Sequence, residues 1–425
     1  MSASSGRLGH PLAGHTSVLH TLDPDAPLLD DLDPLRAIVG DARVVAIGEG
    51  AHFVREFTLA RARLLRYLVE RCGFGAVAVE MGAGDADAVN PWLAGEGEDD
   101  DLPKVAVVHT LNLFGELLRW LRRYNRGRSR PIQLVGIDLP QTLTLPSELD
   151  PVAEYLGEVD PETGEMVAGL RRTAAEITGG SAAASAPKWA ALDPAVQDAL
   201  TAGLARLALR MRALETLYVA RSDQRRYDVA RRQLEAALHT DYMLRAMNNL
   251  LYGTGLPDDT SVRDFYQATC VQWQLERLEP GTRLVVIAHN NHIQKRVVSY
   301  EGYPAALPMG YHLARALGRD YRTVGLTHTA DEVPDMIWPA ENSPVGFAIE
   351  SVRLDAPPAG SLERVLTDAG LGAEITLTDL RSSDPVVASL DRIRSQGSVL
   401  DGPVRETFDA VLCTPTATTD ETTTF

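Results

Sequence analysis

The sequence predicts an α/β protein: a central, mostly parallel sheet flanked by helices, with a large helical insertion beside a cleft. Three observations predict it. Apolar runs of strand length, VVAI (44–47), AVAVE (76–80), IQLVGID (132–138) and LVVIA (284–288), alternate with stretches of helical periodicity. Each run ends on acids or leads into acids and histidines. Between 146 and 278 the chain becomes rich in Ala, Leu, Arg and Glu and loses any strand pattern.

Residues 1–27 read as an irregular lead-in. DLDPLRAIVG (31–40) reads as a short helix, with Asp33 as cap, Pro34 in the first turn and Gly40 at the close. The strand Val44–Ile47 then runs into a loop flanked by Gly48 and Gly50, and a helix follows from Glu56 to about Arg71. The second strand is Ala76–Glu80, a helix covers Leu111–Tyr124, and the third strand is Ile132–Asp138. These lie in the first part of the α/β core, 28–145. In the helical insertion, 146–278, Leu200 to about Leu251 reads as two long helices broken around Ser222, and Gly179–Pro187 as a flexible link. The second part of the core, 279–413, holds the strong strand Leu284–Ala288. Its weaker strand candidates are Arg322–Leu326, Phe347–Val352, Glu374–Leu377 and Phe408–Leu412. The Thr-rich segment 414–425 reads as a mobile tail.

Composition narrows the functional classes. The net charge is −17, which argues against nucleic acid and anionic membrane surfaces as partners, since both require a basic footprint. The partner that remains is a small molecule. Three well-separated cysteines, Cys72, Cys270 and Cys413, make no disulfide framework and fit a cytoplasmic protein. Neither a signal peptide nor a membrane-length apolar window is visible. The G-x-S-x-G elbow, the Walker loop, G-x-G-x-x-G and H-E-x-x-H are all missing. Cys72 lies at a helix end, where a thiolate is not favoured. Activated water is therefore the expected attacking group, with no cofactor.

The chemistry-bearing residues sit at strand ends: Glu49 and His52 after the first strand, Glu80 on the second, Asp138 on the third, His289 and His292 after the fourth. Parallel neighbouring strands would bring them to one crevice, where ligand sites of open α/β sheets gather. Carboxylates orient imidazoles, and imidazoles exchange protons with water near neutral pH. The same groups could ligate a divalent metal. Each has a plainer reading as well. A strand-end acid is commonly only solvated, a lone loop histidine is often surface, and in HNNH (289–292) Asn290 or Asn291 could simply cap a helix. Arg61 on the following helix is a solvated arginine by default, or an anion or oxyanion holder if its face turns to the crevice. Phe53 places a phenyl ring beside His52 and would narrow or dry the site.

These residues resemble the erythromycin esterase family. The resemblance is carried by LDPLRAIVGDARVVAIGEGAHFVREFTLARARLLRYLVERCGFGAVAVE (32–80), VGIDL (135–139), VVIAHNNHIQK (285–295) and, more weakly, FDAVLCTPTATT (408–419). It implies a metal-independent or weakly metal-linked hydrolase that opens a macrolide lactone with activated water. By resemblance His52 is the general base, and Glu49 and Glu80 position it and the water. Arg61, His289 and His292 then line the pocket and bear on the substrate carbonyl, and Asp138 is a strand-end acid of less defined role. Three other readings stay open: a natural-product tailoring enzyme using the same groups for acyl transfer, cyclisation or elimination; a metal-dependent hydrolase; and a ligand-binding protein without turnover.

Overall fold

The computed structural model describes residues 12, 14–140, 144–254, 256, 258–298, 306–338, 340 and 343–420. Its strands are β1 (Thr16–Leu19), β2 (Val44–Ile47), β3 (Phe74–Gly82), β4 (Gln133–Asp138), β5 (Arg283–Ile287), β6 (Tyr321–His328), β7 (Glu332–Ile337), β8 (Ala348–Arg353), β9 (Ile375–Asp379), β10 (Arg392–Ser395), β11 (Ser398–Asp401) and β12 (Ala410–Thr414). Eight of them form one sheet in the order β1-β9-β12-β6-β2-β5-β3-β4. Every pairing from β12 to β4 is parallel, and the β1–β9 and β9–β12 pairings are antiparallel. The α/β class with a mostly parallel sheet is therefore the class of the molecule.

Continuous apolar runs form these strands because both faces of the sheet are covered. Val44 and Ala46 of β2, Ala76 and Ala78 of β3, and Leu284 and Val286 of β5 enter one core. Val45 and Ile47, Val77 and Val79, and Val285 and Ile287 enter the other. The second core is closed by helices Asp33–Val39, Arg55–Cys72, Ala83–Leu93 and Val108–Asn125. The first is closed by the helices of the 146–278 region, including Pro146–Val159, Pro194–Ala213, Gln224–Leu251 and Ser261–Arg277. That region does more than lie beside the sheet's carboxyl edge. Leu149, Leu204, Leu244 and Val271 share one core with the sheet, so it packs on one of the sheet's faces.

Several local expectations are corrected. The lead-in 1–27 contains β1, which pairs with β9 at the sheet edge; residues 1–11 lie outside the described part. Gly179–Pro187 is not a flexible link. Ser181 caps the helix Ala182–Ala190 by accepting the Ala184 N–H, and its hydroxyl donates to the Val345 carbonyl. Phe347–Val352 yields β8, which pairs only with β7 in a separate two-stranded sheet. The described part of the tail is held in place: the Glu56 carboxylate accepts the Thr416 hydroxyl and the Thr418 N–H, and Arg55 N–H donates to the Thr418 carbonyl. Residues 421–425 lie outside the described part. Asp33 is no side-chain cap; its carboxylate accepts the Tyr67 hydroxyl instead.

Candidate active site

The strands that carry the chemistry-bearing residues, β2, β5, β3 and β4, are consecutive in the sheet. Their carboxyl ends therefore place Glu49, His52, His289, Glu80 and Asp138 side by side. Close backbone approach shapes the loop after β2. A Cβ at Gly48 would collide with the Asn290 amide, and one at Gly50 would press on the Leu326 carbonyl oxygen. Asn290 is fully buried; its amide donates to the Leu326 carbonyl (2.7 Å) and accepts the Leu326 N–H (3.2 Å), tying the loop after β5 to β6. The HNNH segment is capped by neither asparagine: His289 is the cap, and its ring Nδ1 accepts the Asn291 N–H at 3.1 Å. Glu80 sits where the β3–β4 register shifts, between Val79 and Gly82. An irregularity of this kind re-aims a strand side chain.

Glu49 is buried. One oxygen lies 2.8 Å from His52 Nδ1 and the other 2.8 Å from the Arg61 guanidinium. Burial pushes this carboxyl up, but the Arg61 charge and the His52 hydrogen bond outweigh it and hold Glu49 below its ordinary value. An ionised carboxylate only accepts, so the His52 proton is assigned to Nδ1 and the lone pair to Nε2. The His52 side chain keeps 21 % of its exposure and lines the cavity, so water reaches it.

His289 is buried, with its ring centroid 4.7 Å from that of His52. Burial first, and then the neighbouring His52, lower its pKa to about 3. It is therefore neutral, and because Nδ1 accepts a hydrogen bond its proton is on Nε2. That Nε2–H is buried with no hydrogen-bond partner among the described residues. An unused buried donor costs about 1–3 kcal/mol, a cost that a ligand acceptor would remove.

Glu80 gathers the remaining groups. One oxygen accepts the His289 N–H at 2.8 Å; the other lies 2.8 Å from Arg263 and 3.3 Å from His292 Nε2. Burial raises Glu80, but the charges of His292 and Arg263 hold it well below the usual carboxylate range. His292 is clamped on its far side by Asp264, Nδ1 to Oδ1 at 2.7 Å. Burial would lower His292, yet the two carboxylates raise it to about 10, so it is an imidazolium at neutral pH. Arg263 also grips Asp138 with two hydrogen bonds from Nε and Nη2, at 3.0 and 2.5 Å. Its pKa is raised further despite burial.

A cavity of about 200 Å³ opens on this assembly. His52, Phe53, Glu80 and His292 line it, together with Arg263, and Met243, Met247, Trp338 and Phe347 form an apolar wall. Glu49, Arg61, Asp138 and His289 stand one layer behind. For Arg61 the reason is its pairing with Glu49, and for Asp138 its pairing with Arg263. Phe53 holds a positive φ of 62° and packs on Val345 and Phe347. The positive φ is sparsely populated for a bulky side chain and persists because its surroundings fix it: the Phe53 carbonyl accepts the Asp420 N–H. Arg263 and Asp264 were not among the sequence-read candidates. The only sequence signal was an adjacent Arg–Asp pair in the first turn of a helix, which resembles many solvated pairs. Among the described residues, no group of three or more His, Cys, Asp or Glu is arranged to hold a metal ion. The acids are turned to Arg61, Arg263 and the imidazoles instead.

The model for erythromycin esterase matches residues 69–417. The chain belongs to the erythromycin esterase family. It is 38 % identical to erythromycin esterase type I of Escherichia coli over 402 residues, 94 % of this chain and 97 % of that one. To erythromycin esterase type II of Escherichia coli it is 32 % identical over 352 residues, 80 % of this chain and 82 % of the relative. Among solved structures, a mutant of the erythromycin esterase EreC in its open conformation superposes with a TM-score of 0.91 at 35 % identity, covering 96 % of this chain and all of that one. The fold of this family member is thus the fold of EreC, and the protein is an enzyme of the ester-hydrolase class. No helix among the described residues is long and apolar enough to cross a membrane.

Proposed function

We propose that this family member hydrolyses the lactone ester of a macrolide, with water activated by His52. The observation that carries the reading is the Glu49–His52 hydrogen bond, which directs the His52 proton to Nδ1 and keeps the Nε2 lone pair for the cavity. Water gives a proton to His52 Nε2 while its oxygen bonds to the ester carbonyl carbon. Glu49 stabilises the imidazolium that forms. The neutral His289, one layer behind the lining with its ring 4.7 Å from that of His52, is the donor for the carbonyl oxygen as it gains charge, its unpartnered Nε2–H opening to the cavity when the ester binds. When the intermediate collapses, the ester C–O bond breaks and His52 returns the proton to the departing alkoxide. Acid and alcohol result. Arg61 acts through Glu49, and Arg263 with His292 sets the field at the wall.

Water as nucleophile is supported by the described lining itself. Its one hydroxyl is that of Ser181, committed to the Val345 carbonyl and without a base beside it. A cavity of about 200 Å³ is smaller than the roughly 300–1,000 Å³ of a drug-sized ligand site. It therefore receives the reacting ester and its neighbouring atoms, while the rest of a macrocycle occupies the mouth.

The test is erythromycin turnover in H₂¹⁸O. One labelled oxygen is expected in the carboxyl group of the opened product, with turnover lost in His52→Ala. Unlabelled product would favour acyl transfer, cyclisation or elimination, and full activity of His52→Ala would remove His52 as the base.

A further inference from the structure

The loop that carries His52 is gripped from a part of the chain more than three hundred residues away. β10 and β11 form a hairpin with Ser395 opposite Ser398, so Gln396 and Gly397 are its two-residue turn. Gln396 has a φ of 52°, a position where a hairpin turn ordinarily takes Gly, Asn or Asp. Such a residue persists when its surroundings over-determine it, and such residues concentrate at functional sites.

The contacts of Gln396 supply that determination. Its backbone N–H donates to the Gly50 carbonyl at 2.6 Å. Its side-chain Oε1 accepts the His52 backbone N–H at 2.7 Å. Its Nε2 donates to Asp335 Oδ1 at 3.0 Å, and Asp335 Oδ2 accepts the Gly397 N–H at 3.1 Å. The amide cannot be turned around, because one end faces an N–H donor and the other a carboxylate. Beside it, the Ser395 hydroxyl donates to the Asn291 side chain at 3.2 Å, so the hairpin also touches the loop after β5. Asp335 in turn accepts the N–H of Met336, which lines the cavity.

We propose that Gln396 is a positioning residue for His52, its amide held by Asp335 so that the base loop keeps His52 Nδ1 on Glu49 and Nε2 toward the cavity. The proposal rests on the reading of His52 as the base. A glycine-flanked loop with a positive φ at Phe53 has few intrinsic restraints, and a hydrogen bond to the backbone of His52 itself limits rotation where the side chain is attached. The same amide links the base to β7, and so to one wall of the cavity.

The experiment uses the full chain with ¹⁵N-labelled histidine and erythromycin as probe. In the unaltered protein, the ¹⁵N shifts of His52 are expected to report the Nδ1–H tautomer. Gln396→Met, similar in size but without hydrogen-bonding groups, is expected to mix the tautomers. It should lower kcat by about 10- to 100-fold with KM within about twofold. Gln396→Glu is expected to recover rate relative to the unaltered protein as pH falls, since a protonated carboxyl again donates to Asp335 while its other oxygen accepts from the His52 N–H. In the His52→Ala background, Gln396→Met is expected to have no further effect. An unchanged His52 tautomer and an unchanged kcat in folded Gln396→Met would overturn the proposal, as would an equal loss in the His52→Ala background. Folding of each variant is read by circular dichroism, and a loss explained wholly by a smaller folded fraction also overturns it. The two readings fail separately. An active His52→Ala removes the base, whereas an inactive His52→Ala with a fully active Gln396→Met removes only the positioning role.

Discussion

The rings of His52 and His289 lie 4.7 Å apart and carry their protons on opposite nitrogens. The ionised Glu49 accepts a hydrogen bond from His52 Nδ1–H, while the Asn291 N–H donates to Nδ1 of His289. In the proposed reaction one imidazole serves as the base and the other as the donor. Two equivalent tautomers could not both accept water's proton and stabilise an oxyanion.

This pairing makes Glu49→Gln an informative change. The amide nearly preserves shape but can donate to Nδ1, which favours the opposite His52 tautomer. The expected result is a fall in kcat of about 100- to 10,000-fold with a small change in KM, measured as ring-opened product by chromatography. An activity within tenfold of the unaltered enzyme would separate Glu49 from tautomer control.

The Glu49–Arg61 pair also bears on stability. Both side chains are almost wholly buried, at 4 % and 3 % exposure. Glu49→Ala leaves the arginine charge unpaired and is expected to cost about 3–5 kcal/mol. The double change Glu49→Ala, Arg61→Met should be less damaging than the sum of the single ones. Denaturant unfolding of the four proteins gives the coupling.

Two histidines shape stability against pH in opposite senses. His292 is raised to about 10, so its contribution is fully present below the unfolded histidine value of about 6.5 and is lost as pH rises toward 10. His289 is lowered to about 3, so the folded state resists its protonation and loses stability as pH falls from about 6.5 toward 3. The melting temperature is expected to drop on both sides of neutrality. His292→Asn should flatten the alkaline side and His289→Asn the acid side, as read by scanning calorimetry.

Chelation gives a further check. The carboxylates of the site are committed to arginines and imidazoles. Dialysis against EDTA followed by assay in metal-free buffer is expected to leave erythromycin turnover unchanged. Loss of activity that added zinc or manganese restores would return the metal-dependent reading.

Much of the architecture was legible in the chain, for a local reason. Buried parallel strands need continuous apolar runs, and VVAI, AVAVE and LVVIA announce themselves whatever lies beside them. The loops after them show their Gly, Glu and His residues equally openly. Elements whose character depends on distant partners were less legible. The segment after Gly179 reads as a linker by composition, yet Ser181 and the Val345 carbonyl make it a capped helix. The Thr-rich tail reads as mobile, yet Glu56 binds it to the helix that follows His52. By family resemblance Arg61 lines the pocket, yet Glu49 holds it one layer back.

The sequence by itself determined the strand set, the covering of both sheet faces, and the acids and imidazoles at the strand ends, because periodicity and turn chemistry are properties of neighbouring residues. Only the tertiary structure decided the β2-β5-β3-β4 order that gathers them, the entry of Arg263, Asp264 and Gln396, and which nitrogen of each ring holds its proton. The physical reason is that protonation and orientation depend on burial and on partners brought from far along the chain, and no local pattern encodes which segments will meet.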